Sequence, residues 1–151
     1  MTDLEFTQRR DRVLRWVQSE GAVFCYDEHE SQLLKNYIAP VIAVFPEIAE
    51  EVSAIYVYKM ADQPGPLSTP DAINWIDVTA DAGTLYAIGV SVEALDRGEA
   101  YTQLCFLHEY THVLVGGKHS KEFHDCLDDL IERFNNCTGR HVANDYYGLT
   151  D

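Results

Sequence analysis

No apolar run in this chain approaches the roughly 20 residues that a membrane-spanning helix needs, so no membrane partner is expected. Basic residues are scarce, with 11 Lys and Arg against 25 Asp and Glu and a net charge of −14 at pH 7. Nucleic-acid binding relies on Lys and Arg to neutralise phosphates. Direct binding of DNA or RNA is therefore not expected, and the acidity reads as solubility. The four cysteines, Cys25, Cys105, Cys126 and Cys137, include no CxxC pair. That spacing is not a zinc ribbon, and in a reducing compartment they read as buried thiols rather than as a disulfide framework. The opening MTDLEFTQRRDRVLRW lacks the apolar core of a secretory signal, which points to the cytoplasm. Internal repeats and low-complexity tracts are also missing.

What remains is ordinary globular composition, 46% hydrophobic and 24% charged over 151 residues. That length predicts a single domain over 1–151 with one core. Thr2-Asp3-Leu4-Glu5 forms a capping box for a helix to about Ser19, with Gly21 as its stop. Ala22–Tyr26 is a weak strand candidate. From Glu28 to about Phe45, Leu33, Leu34, Tyr37, Ile38, Val41 and Ile42 recur at helical spacing, with a kink or restart expected at Pro40. Val52–Met60 is rich in β-branched and aromatic residues and reads as a strand. Asp62–Pro70 is a loop with three prolines. Trp75–Thr79 and Leu85–Ser91 form a hairpin pattern with Gly83 in the turn.

Glu99–Val115 is apolar nearly all round, as a buried helix is, and Gly116-Gly117 ends it. Ser120 reads as the N-cap of a last helix, Lys121 to about Asn135. Strands grouped ahead of two closing helices predict an α+β fold, with a small, partly antiparallel sheet of three or four strands packed with helices.

The buried helix carries His108-Glu109-Tyr110-Thr111-His112, an HExxH. Residues four apart share a helix face, so both imidazoles can point at one ion, and Glu109 can reach a water held there. Zinc suits imidazole donors, and catalytic zinc sites combine three protein ligands with one open position. A lone histidine in such a helix would usually be a core residue bonded to backbone or carboxylate. Two of them around a glutamate, on an otherwise apolar helix, point to a metal.

His119 is read as the third ligand, since the glycine break lets the chain turn back towards the pair. Glu122, His124, Asp125 and Asp128 compete for that place, Glu122 giving a His₂Glu set. With His119 as ligand, His124 becomes a cleft or helix-surface residue. Asp125 and Asp128 either orient the ligands or belong with Asp129 to a solvated acidic face. His29 and His141 carry no pattern.

An HExxH on a helix behind a sheet resembles the zincin metallopeptidases, over about residues 52–135. HEYTHVLVGGKH is superficially similar to the metzincin pattern HExxHxxGxxH with one residue inserted. Metzincins also place a methionine turn downstream, whereas Met1 and Met60 both lie upstream here. The run HExxH, a short linker, then His119-Ser120-Lys121-Glu122-Phe123 resembles the SprT-like minimal zincins instead. Those carry a third histidine in a motif like H-[GS]-x-x-F that opens the next helix. The resemblance implies a zincin-like fold in which His108, His112 and His119 ligate zinc and Glu109 is the catalytic base. It also implies that Leu85–Ser91 is the sheet edge along the cleft, where an extended peptide adds as a strand. The cysteine ribbon or basic region that SprT-like proteins often add is not found in this sequence.

The expected function is thus zinc-dependent hydrolysis of a protein or peptide substrate, with Tyr146, Tyr147, His124 or His141 as candidate oxyanion donors. One rival is a zinc hydrolase of a small molecule or nucleotide, although no Gly-rich loop or Lys/Arg cluster stands ready for phosphates. The other is a non-enzymatic module with structural zinc, which would need a fourth protein ligand and has no use for Glu109. The sequence sets no oligomeric state.

Overall fold

The hydrophobic pattern resolves into an ordered set of elements in a computed structural model, which describes residues 23–24, 28–52, 54–58, 72–80, 83–116 and 118–144. In chain order these are β1 (Val23–Phe24), α1 (Glu28–Val44), α2 (Ile48–Glu51), β2 (Ala54–Tyr58), β3 (Ala72–Ala80), β4 (Gly83–Ser91), α3 (Val92–Asp96), α4 (Glu99–Val115) and α5 (Lys121–Thr138). The N-terminal helix over 2–19, the Asp62–Pro70 loop, Cys25, Tyr146 and Tyr147 lie outside the described residues.

Helix and strand are both present, as an α+β chain requires. The strands form one sheet in the order β1-β2-β4-β3. β1 pairs with β2 and β2 with β4 in parallel, while β3 runs antiparallel to β4. The β3–β4 ladder reaches Ala80↔Gly83, so both strands extend beyond the ranges read from the sequence. Its register slips between Trp75 and Val78, the mark of a β-bulge. One expectation is corrected here: β4, which contains Leu85–Ser91, is not an edge strand but lies between β2 and β3. The edge on that side is β3, and it is β3 that packs against α4 together with β4.

Ile55 and Val57 of β2 stand directly opposite Ile88 and Val90 of β4, and all four are buried. This two-residue alternation gives the sheet an apolar face. On α1, Leu34, Ile38 and Val41 line one side and lead to Phe45. α5 adds Phe123, Leu127, Leu130, Ile131 and Phe134 at the same three-and-four spacing, with Asp125, Asp128, Asp129 and Glu132 exposed opposite. Each such large side chain contributes about 1.5–3 kcal/mol over its exposed state. The cysteines follow this partition rather than all being buried: Cys105 is inside, Cys126 half-buried and Cys137 exposed.

α4 runs through the middle of the packing, and every residue from Thr102 to His112 is buried. Polar side chains fix its position along the neighbouring elements. Thr102 Oγ1 donates to the Ala94 carbonyl of α3 at 3.2 Å. Gln103 Nε2 donates to the Tyr37 carbonyl of α1 at 2.9 Å. That carbonyl lies three residues ahead of Pro40, in the turn where proline disturbs the ladder, and α1 continues through the proline as one helix. Tyr110 donates its hydroxyl to Glu51 Oε1 at 3.2 Å, tying the helix to α2. Burial first, and then the Glu51 carboxylate, hold the Tyr110 phenol far above its ordinary range, so it remains a donor. Contacts at Thr102, Gln103 and Tyr110 thus tie the helix that carries His108 and His112 to three neighbouring elements.

Candidate metal centre

His108 and His112 stand one turn apart on the same face of α4, 1% and 4% exposed. His119 lies in the connection to α5 and is exposed. Their donor nitrogens all fall within 4.8 Å of one another, and among the described residues this is a group able to hold a metal ion. His119 Nε2 is 3.1 Å from His112 Nε2. One ion bound tetrahedrally by two imidazoles at ~2.05 Å sets their nitrogens about 3.3 Å apart. The observed separation is close to that value, so the His112–His119 pair is spaced for a small imidazole-loving cation, with His108 within 4.8 Å of both.

The protonation of His112 follows from its other partner. Its Nδ1 lies 2.9 Å from the Gly116 carbonyl oxygen, which can only accept. Nδ1 therefore carries a hydrogen, and in a neutral ring Nε2 is then the nitrogen left to face His119 as an acceptor or metal donor. Such a bond to a backbone carbonyl is how proteins set the orientation and basicity of a ligand histidine.

Gly116 makes that arrangement possible. It caps α4 with φ 102° and ψ −177°, a conformation essentially reserved for glycine. Its amide donates to the His112 carbonyl at 2.9 Å while its own carbonyl meets the His112 ring. An added Cβ would meet nothing within 4 Å, so its penalty is conformational and not a clash. Gly116→Ala is expected to cost about 1–3 kcal/mol in urea unfolding. Metal affinity, read by chelator competition, should fall by about tenfold or more as the carbonyl leaves Nδ1. Unchanged affinity would show that the carbonyl has no part in the site.

On the other side of the connection, Ser120 caps α5 by accepting from the Phe123 amide at 3.2 Å. This fixes where the helix begins and hence where His119, the residue before the cap, is delivered.

Glu109 is wholly buried, one position beyond His108. A carboxylate inside an otherwise apolar helix is costly compared with an aliphatic side chain, so its presence calls for a task. Of the residues that competed for the third ligand position, none joins the histidine group. Glu122 is exposed in the first turn of α5. Asp125 is exposed and paired with Lys121 at 2.7 Å. Asp128 is exposed and accepts from Asn144, so neither aspartate orients a ligand. His124 is half-buried with its ring 5.7 Å from that of Phe123. His29 and His141 are exposed. Burial, followed by the charges of Asp129 and Glu122, raises the Cys126 thiol, and Cys126 does not join the histidine group.

One participant escaped the sequence reading. Phe123, a core position and a motif letter in the sequence, has its ring within 5.0 Å of all three imidazole rings. The available signal was its place three residues after the Ser120 cap that follows His119.

No family model matches the chain, and no curated protein or solved structure matches it either.

Proposed function

We propose that this chain is a zinc-dependent peptidase with a zincin-like architecture, most similar in its site motif to the SprT-like minimal zincins. The supporting observation is the convergence of His108, His112 and His119, with the outer nitrogen of His112 engaged by the Gly116 carbonyl. A set of three imidazoles favours zinc over magnesium or calcium, which prefer oxygen. Three ligands, rather than four, leave a position for water or substrate.

Bound zinc would supply Lewis acidity at the scissile carbonyl and lower the pKa of its water. Glu109 acts as general base in this reading, taking a proton from the attacking water and passing it to the leaving amine. An extended substrate would add along the β3 edge, which lies beside the helix that carries both histidines. Its place of action would be the cytoplasm, on protein or peptide chains.

The test is hydrolysis of an unstructured casein-like protein beside nucleoside triphosphates, with and without chelator. Casein cleavage that chelator stops and zinc restores is the expected result. Triphosphate hydrolysis alone would move the site to small-molecule chemistry. Retained zinc with no hydrolysis of either would make the ion structural. No helix among the described residues is long and apolar enough to cross a membrane.

A further inference from the structure

We infer that Phe123 is a positioning residue for the metal ligands, an aromatic wedge that holds the three imidazoles in their converging orientations before an ion arrives. This rests on the reading of His108, His112 and His119 as ligands. Phe123 is fully buried and its ring meets all three. It lies 5.0 Å from His108 at 69° and 4.9 Å from His119 at 63°, both edge-to-face. It lies 4.5 Å from His112 at 37°. Histidine χ2 is a broad, two-fold torsion, and the Gly116 carbonyl acts on His112 alone, so an aromatic ring packed on all three imidazoles adds a restriction common to them. A flat ring touching three others restricts all of those torsions together, and the ordering cost is met during folding instead of on binding.

The wedge is itself held in place. Its amide donates to Ser120 Oγ, so the same cap that delivers His119 sets Phe123 one turn into α5. The stretch His119-Ser120-Lys121-Glu122-Phe123 therefore works as one local unit of ligand, cap and wedge. Phe134 gives the contrast: it is equally buried on the same helix, three turns further along, and belongs to the general core.

The experiment compares wild type, Phe123→Leu and Phe134→Leu. Thermal midpoints of the metal-free proteins, zinc affinity by chelator competition and the visible spectrum of the cobalt(II)-loaded proteins are measured. Both variants should lower the metal-free midpoint by comparable amounts. Only Phe123→Leu should weaken metal binding, by about ten- to a hundredfold, and shift the cobalt bands. The inference is overturned if Phe123→Leu keeps wild-type affinity and spectrum, or if Phe134→Leu weakens binding equally. Wild type that binds no metal would instead overturn the reading of the three histidines, and this inference with it. Should leucine prevent folding, Phe123→Met poses the same question with a side chain that adapts to irregular gaps.

Discussion

Replacing Glu109 with glutamine is expected to lower peptide hydrolysis by about a hundred- to ten-thousandfold while one zinc ion per chain stays bound. Holding the metal and using it fall to different residues. Glutamine has nearly the shape of glutamate, so the fully buried position on α4 keeps its packing. The donors that form the metal group are His108, His112 and His119, and the substitution touches none of them. What glutamine lacks is a basic oxygen able to accept a proton near neutral pH. The loss should therefore appear in kcat, with zinc content and melting behaviour little changed. If the Glu109→Gln variant cleaved casein at the wild-type rate with zinc in place, Glu109 would not be the base.

Removing the metal is expected to lower the thermal midpoint by roughly 5–11 °C when zinc had been present at about a hundred times its dissociation constant. The ion adds about 2.7 kcal/mol at that ratio, and each kcal/mol moves the midpoint of a chain this size by about 2–4 °C. Two ligands lie on α4 and the third in the connection to α5, so zinc would clamp the two helices across the 116–120 break. His108→Ala or His112→Ala should abolish the zinc-dependent increment altogether. His124→Ala should keep it, because His124 stands outside the ligand group. An increment that survived His112→Ala would place the ion elsewhere.

Much of this site was legible because its geometry is local. Four-residue spacing puts His108 and His112 on one face of any helix, and the near-continuous apolar surroundings marked that helix as central. His119 could be read because glycine closes α4 and Ser120 opens α5 around it, both strong backbone signals. Other features depend on contacts between distant residues. Nothing within Leu85–Ser91 reveals that β2 and β3 flank it, since strand order is settled by long-range pairing. α1 runs through Pro40 unbroken, and beside it Gln103 of another helix donates to the Tyr37 carbonyl, a contact that no local pattern reveals. Phe123 was hidden for a different reason: its spacing on α5 is that of any core residue, and only the fold shows that its neighbours are imidazoles. Cys137 was expected inside, yet α5 runs on to Thr138 and carries it to an exposed face.

The central claim is a three-histidine zinc site with one position left open beside Glu109. X-ray absorption at the zinc edge of the loaded wild-type protein tests it most directly. The account predicts three imidazole nitrogens and a single non-protein oxygen, all at about 2.0–2.1 Å. A sulfur ligand, a fourth protein ligand, or a shell built mainly of oxygens would contradict it.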